Sequence, residues 1–125
     1  MKFREEFFID QVDFDFDFKV RKLGYKIILA DGYLIDHRLG VKVGKLSYEP
    51  KFRIYYIIRN STVLLIEGKI PISNYVYQIA YWSLSSVLHY GIFSYLRIFM
   101  NGIIDGFSRK LGKIDSNSRL FQKKE

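Results

Sequence analysis

The sequence predicts an α/β fold in which one acidic helix and short strands are followed by amphipathic helices. Three observations lead to this prediction. A helical pattern near the start of the chain ends at a glycine, and two short apolar runs separated by a turn come next, as is typical of strands. Further along, the 27 residues from Ile70 to Leu96 carry no formal charge, yet their polar side chains follow one helical face.

The first element contains the stretch DFDFDF, in which aspartate and phenylalanine alternate. Strict alternation from Asp13 to Phe18 has the period of a half-buried strand. However, the acidic residues precede a basic run and then Gly24, which is the charge order and ending of a helix with a compensated dipole. Apolar residues spaced by four, four and three also form one helical stripe, namely Val12, Phe16, Val20 and Leu23. We therefore predict a helix over residues 12–23.

A helix over these residues brings several carboxylates together. Asp13 and Asp17 lie one turn apart on it, and Asp10 comes just before its start. Carboxylates near a helix start can cap the helix, bind a cation or act as a base. A capping role alone would contribute about 1 kcal/mol to helix stability. The pattern leaves these alternatives open.

Two extended segments, a loop and a second helix follow. Lys26 to Leu29 and Tyr33 to Asp36 are predicted to be short strands joined by a turn. Residues 41–51 contain glycine and proline and have no sustained period, which predicts a mobile loop. Apolar residues then recur from Ile54 to Leu65 with helical spacing, and Gly68 is expected to end that helix.

The uncharged region predicts one amphipathic helix, or two that break near Gly91. Ten of its residues are Pro, Ser, Asn, Gln, His or Gly, so it is more polar than a typical membrane span. Packing under a domain and lying in the headgroup region of a membrane both stay open. The tail from Ser108 has six basic and two acidic residues and weak periodicity, which predicts a flexible segment attracted to anionic lipid.

Composition excludes several classes of function. The chain has no cysteine, so it offers no disulfide, no thiolate zinc site and no cysteine nucleophile. The opening MKFREEFF lacks the apolar core of a signal peptide, and we expect a cytoplasmic protein, either free or at the inner face of the plasma membrane. Aromatic residues make up 18% of the chain, but they lie inside apolar periodic segments, so we expect no nucleic-acid partner.

Charge is distributed unevenly along the chain. Residues 1–37 carry six basic and eight acidic groups, a net charge of −2, whereas residues 38–125 carry fourteen and five, a net charge of +9. An acidic part next to a basic part favours a site that handles a cation at one end and a phosphate or an anionic membrane at the other. Solubility alone explains the same pattern equally well.

Five short motifs follow one another in the first half of the chain. They are the opening EEFFID, the acidic helix DFDFD, the turn GYK, the element HRLG and the helix YYIIRN. Over about residues 3–65 the chain thereby resembles the C-terminal half of family 2 glycosyltransferases, most closely the bacterial rhamnosyltransferase-like group. The resemblance implies a Rossmann-like GT-A fold, of which this chain would be the acceptor-side portion. It also implies inverting transfer of a sugar from a nucleotide-diphosphate donor to a glycan or lipid-linked acceptor, in cell-surface polysaccharide synthesis.

The resemblance, together with the composition of the later segments, predicts a division of the chain into three parts. Residues 1–68 correspond to the C-terminal part of the glycosyltransferase catalytic domain, residues 69–107 to an amphipathic aromatic-rich helical region, and residues 108–125 to a basic flexible tail. In the family a preceding half supplies the nucleotide-binding strands, so this chain alone is expected to be inactive. The competing interpretation is a non-enzymatic module that contacts a membrane surface or another protein.

The resemblance also assigns roles to individual residues. Asp13 matches the catalytic base, which must lie within hydrogen-bond reach of the attacking hydroxyl. Asp10 and Asp15 are candidates for binding the acceptor hydroxyls. His37 and Arg59 are expected to contact the donor diphosphate, and His37 also its divalent metal, Mg²⁺ or Mn²⁺, in the complete enzyme.

Overall fold

The structure, a computed structural model, describes residues 2–32, 41–43, 46–115 and 118–122. These residues form four α-helices and one pair of short strands. The helices are α1 (Val12–Lys22), α2 (Lys51–Ile66), α3 (Ile72–Tyr90) and α4 (Ile92–Phe107). The strands β1 (Val41–Val43) and β2 (Leu46–Tyr48) pair antiparallel, with Lys42 opposite Ser47. A single 3₁₀ turn, Glu5–Phe7, precedes α1.

The predicted α/β Rossmann-like GT-A fold is wrong, because the chain forms a small, mostly helical domain. The described residues contain no parallel sheet, only the β1–β2 pair, which replaces the loop predicted over residues 41–51. Lys26 to Leu29, predicted to be a strand, is irregular, and Leu29 is 96% exposed. Among the described residues, this apolar run has no neighbouring strand to pair with. The second predicted strand, Tyr33 to Asp36, lies outside the described residues.

The predictions for the helices are confirmed. The helix predicted over residues 12–23 corresponds to α1, and α2 ends two residues before Gly68. The uncharged region forms two helices that break at Gly91, whose φ of +85° is rarely adopted by residues with a side chain. Of the helices that the structure describes, none is long and apolar enough to cross a membrane.

The core is built around α2. Every residue from Ile54 to Leu64 is buried, because α3 and α4 both pack against this helix. One core cluster joins α2 to α4 and consists of Ile54, Tyr55, Tyr56, Ile58, Tyr95 and Ile98. A second cluster joins the other end of α2 to the start of the chain and consists of Phe7, Val63, Leu64 and Ile70. Full burial of each large apolar side chain contributes about 1.5–3 kcal/mol, so these clusters hold the helices together.

The tail after α4 also contacts the core where it is described. The backbone N–H of Gly112 donates to the carbonyl of Glu6, and that of Ile114 donates to the hydroxyl of Tyr56 at 2.8 Å. Leu120 and Phe121 pack against the first core cluster. The flexibility predicted for this tail stays a prediction.

Two glycines let α4 approach α2 closely. A Cβ atom placed on Gly106 would lie 2.9 Å from the backbone oxygen of Arg59 and 2.8 Å from Cβ of Thr62. A Cβ on Gly102 would lie 2.9 Å from Cγ2 of Ile58. Real Cβ atoms do not tolerate such contacts, and the backbone of α2 cannot move aside without disturbing the core.

We expect Gly106→Ala to lower the free energy of unfolding by about 1–3 kcal/mol, because overpacking at the helix contact outweighs the better helix propensity of alanine. Urea unfolding followed by circular dichroism measures the change. Phe107→Ala, at the neighbouring exposed position, introduces the same residue and should have a smaller effect. Equal stability of Gly106→Ala and the unmodified chain would contradict the close packing of α2 and α4.

Candidate functional site

The segment that leads into α1, residues 6–11, is held by Asn60 of α2. Its Nδ2 atom lies 2.8–3.0 Å from three backbone carbonyl oxygens, those of Phe7, Ile9 and Asp10. Asn60 is fully buried, so water cannot replace these hydrogen bonds. An unsatisfied buried carbonyl costs about 1–3 kcal/mol, and one amide group therefore fixes the path of this whole segment.

Arg59 is a buried cation that binds backbone groups. Its Nη1 donates to the carbonyl of Gly112 at 2.7 Å, and its Nη2 to that of Phe7 at 3.2 Å. The guanidinium also lies 4.8 Å from the ring centre of Tyr56, within cation–π distance. No carboxylate pairs with it in the part of the chain that the structure describes. Arg59 thus ties the start of the chain to the tail, and its contact with a donor diphosphate stays a prediction.

The segment held by these two side chains contains strained backbone. Phe8, Asp10 and Gln11 have φ angles of +64°, +61° and +61°, in the left-handed region that residues other than glycine rarely adopt. Each such residue costs about 1–3 kcal/mol and persists only where surrounding contacts fix it. Asn60 and Arg59 supply those contacts. Strain of this kind is concentrated at functional sites, which makes the start of α1 the candidate site.

Asp10 forms a bidentate ion pair with Arg53 of α2. Nη2 of Arg53 lies 2.5 Å from one carboxylate oxygen of Asp10, and Nε lies 3.2 Å from the other. Arg53 also donates to Glu49 at 2.9 Å. Bidentate pairs of this geometry are the stronger kind of ion pair. Both oxygens of Asp10 are thus bound by Arg53, and its predicted role in acceptor binding stays a prediction.

Asp15 lies in a buried network of cations. Nζ of Lys19 is 2.6 Å from one carboxylate oxygen, Nζ of Lys69 is 2.5 Å from the other, and Arg4 lies 3.6 Å away. Burial raises the pKa of Asp15, but the hydrogen bonds from Lys19 and Lys69 outweigh it and lower that pKa below its ordinary value. Asp15 thereby fixes α1 to the turn after α2, and its predicted contact with acceptor stays a prediction.

Glu67 extends this network beyond the end of α2. Burial raises its pKa, but hydrogen bonds from Arg4, Arg109 and Lys69 dominate and hold the pKa of Glu67 at about 2. Nη1 of Arg4 lies 2.7 Å from one oxygen, and Nη1 of Arg109 lies 2.8 Å from the other. The carboxylate thus joins the start of the chain to Arg109, two residues after the end of α4.

Asp13 differs from these neighbours. It lies in the first turn of α1, is exposed, and makes no ion pair or hydrogen bond through its side chain among the described residues. The N-cap position is occupied by Gln11, without a capping bond from its side chain. The structure therefore does not gather the predicted carboxylates at one point. It pairs Asp10 and Asp15 with cations and leaves Asp13 open to solvent.

The predicted metal site is not formed by the described residues. His37, the expected ligand, lies outside them, and no group of three or more His, Asp or Glu side chains that could hold a metal occurs within them. The divalent metal of a complete enzyme stays a prediction.

Sequence reasoning missed several residues of this site, among them Arg4, Arg53, Asn60, Glu67 and Lys69. One signal for Asn60 was present. Four polar residues, Arg59 to Thr62, interrupt an otherwise apolar helix, and all four are buried. A run of polar residues in the middle of a central helix indicates that another segment brings hydrogen-bond partners to it.

We expect Asn60→Ala to destabilise the chain by about 2–4 kcal/mol, because it leaves carbonyls of the strained segment without donors. Urea unfolding measures the loss, and limited proteolysis should show faster cleavage within residues 6–11. Asn101→Ala, an exposed asparagine on α4, is the matched control and should change stability little. Equal effects of the two substitutions would show that Asn60 does not hold this segment.

The stability of the chain should fall in acid through Glu67. Its pKa is about 2 in the folded chain and 4.5 ordinarily, so the unfolded state binds the proton more readily. The stabilisation of up to about 3 kcal/mol is complete above about pH 5 and is lost as the pH falls towards 2. Glu67→Gln should flatten this part of the stability profile, measured by urea unfolding at a series of pH values. Glu5→Gln, at an exposed position, should leave the profile unchanged, and a Glu67→Gln profile as steep as the original would refute the assignment.

Comparisons with known protein families, with curated proteins and with solved structures found no match. The motif resemblance to family 2 glycosyltransferases therefore stays a prediction.

Proposed function

We propose that this chain supplies the acceptor-activating part of an enzyme that transfers a sugar to a hydroxyl group, with Asp13 as the general base. One observation carries the proposal. A strained segment, fixed by two buried side chains of α2, presents Asp13 as an exposed carboxylate, whereas Asp10 and Asp15 are neutralised by cations. Strained backbone that surrounding contacts hold in place is often found at active sites.

The chemistry requires one carboxylate with free lone pairs. Asp13 takes the proton of an acceptor hydroxyl while the hydroxyl oxygen attacks the anomeric carbon of the donor sugar. The bond from that carbon to the nucleotide diphosphate breaks, the diphosphate leaves with the electron pair, and the configuration inverts. A base positioned in this way contributes about 10²–10⁴ in rate.

The neighbouring acids suit this role less well. Asp15 is buried, and its lowered pKa makes it a weaker base. Both carboxylate oxygens of Asp10 are bound by Arg53, so an acceptor hydroxyl would have to approach it beside a guanidinium. Their ion pairs instead fix the position of α1, and with it the backbone of Asp13.

The rest of the complete enzyme belongs to the same proposal. The order of the five motifs supports a nucleotide-sugar donor and a glycan or lipid-linked acceptor. We place donor binding in a separate nucleotide-binding part, with His37 facing the diphosphate. The Rossmann-like fold is not part of the proposal for this chain, and no step of the proposed reaction passes through a metal.

The test uses the gene in its own cells. The chromosomal copy is deleted and replaced by the original sequence, by Asp13→Asn or by Asp17→Asn, and extracts with membranes receive radiolabelled UDP-sugars and dTDP-rhamnose. Deletion should remove transfer of one sugar to endogenous glycan or lipid acceptor. Asp13→Asn should lower that transfer by about two to four orders of magnitude, the usual contribution of a positioned base.

Asp17→Asn is the matched control, because Asp17 is an exposed aspartate one turn further along α1. It should retain nearly full transfer. Melting curves of the purified chains should coincide for both variants, since neither side chain makes a described contact. If deletion leaves all transfer intact, or if Asp13→Asn transfers sugar as well as Asp17→Asn, the proposed base is wrong.

A further inference from the structure

Helix α4 carries apolar residues on two opposite sides. One side faces the core through Tyr95, Ile98, Gly102 and Gly106. The other side bears the α4 stripe, which we define as Phe93, Leu96, Met100, Ile104 and Phe107. Steps of three and four residues keep these five side chains within an arc of roughly 80° over a length of about 21 Å. All five are exposed, and Phe93 is 86% exposed.

Such a stripe is unusual on a helix at a protein surface. A helix that packs on one side normally bears polar residues on the other, and an apolar surface on both sides indicates that both are covered. Single exposed apolar residues need no explanation, but an aligned row of them marks a site of interaction with a protein or a membrane.

Cations lie beside the start of the stripe. A cavity of about 430 Å³ next to Phe93 is lined by Lys51, Phe93, Ser94, Arg97, Leu120 and Gln122. Arg97 donates from Nη1 to the carbonyl of Arg119 at 3.2 Å, and among the described residues neither Arg97 nor Lys51 pairs with a carboxylate. Two cationic side chains that line one cavity suit an anion such as a phosphate headgroup.

The charges at the other end of α4 and within it follow the same pattern. Lys110, exposed just beyond α4, adds a cation there. Within α4 itself the single acidic residue is Asp105, which accepts a hydrogen bond from the hydroxyl of Tyr55. An apolar stripe with cations at both ends is the pattern of helices that lie in the headgroup region of anionic membranes.

We propose that the α4 stripe is the docking surface for an anionic lipid bilayer, with Lys51 and Arg97 binding the phosphate of a lipid headgroup. Charge favours this occupant over a second copy of the chain. A contact between two copies would bring two sets of cations together, in a chain of net charge +7. The inference goes beyond the proposed function and does not depend on the role of Asp13.

The test is co-sedimentation of the full chain with vesicles of phosphatidylcholine, with or without phosphatidylglycerol, at low and high salt. The chain should pellet with phosphatidylglycerol vesicles at low salt, and much less at high salt, because salt screens the attraction. Arg97→Gln should weaken partitioning about fivefold. Met100→Glu, which places a charge in the middle of the stripe, should weaken it about tenfold or more.

Leu29→Glu is the matched control, because it makes the same change of charge at an exposed apolar residue outside α4. It should bind vesicles nearly as well as the original chain, and melting curves should show that all variants are folded. Three results would overturn the proposal. The first is that the chain does not pellet with phosphatidylglycerol vesicles at low salt. The second is that Leu29→Glu and Met100→Glu lose vesicle binding equally. The third is a dimer in sedimentation velocity that Met100→Glu dissociates without any change in vesicle binding.

Discussion

The structure depends on the burial of Arg59 and Asn60 in the middle of a central helix. A guanidinium and an amide cannot be removed from water unless acceptors are brought to them, and the acceptors here are backbone carbonyls of Phe7, Ile9, Asp10 and Gly112. Because α2 is buried along most of its length, the start of the chain and the tail must come to it. The path of the segment before α1, including its left-handed residues, follows from this requirement.

The aspartates in and just before α1 have different roles. Asp10 and Asp15 meet cations that come from positions 43 and 54 residues away in sequence, so they contribute to tertiary structure more than to local helix stability. Burial makes each of these pairs sensitive to loss of one partner, since the remaining charge would be left in an apolar environment. Asp13, without such a partner among the described residues, contributes little to the fold. The fold does not need the side chain of Asp13, yet it fixes the backbone next to this residue. The carboxylate of Asp13 is therefore available for chemistry.

The sequence predicted local structure better than tertiary structure. Charge order and Gly24 were sufficient to choose a helix for the alternating aspartates, and Gly91 marked the break between α3 and α4. The run from Lys26 to Leu29 was misassigned because a short apolar segment has no period that separates a strand from other structure, and pairing depends on a partner strand. The Rossmann-like fold was taken from motif order, which carries no information about packing. The ion pairs of Asp15 with Lys69 and Arg4 and the bonds of Asn60 join distant segments, and no spacing within one helix encodes them.

The hydrogen bonds of Arg59 have a consequence for any shortened form of this protein. The guanidinium of Arg59 donates to the carbonyls of Phe7 and Gly112, and the N–H of Gly112 donates in turn to the carbonyl of Glu6. A truncation that removes the tail would leave part of a buried cation without acceptors and would remove a support of the segment before α1. Removal of the tail from Gly112 onwards would therefore weaken the segment before α1, which positions Asp13 about a hundred residues earlier in the sequence.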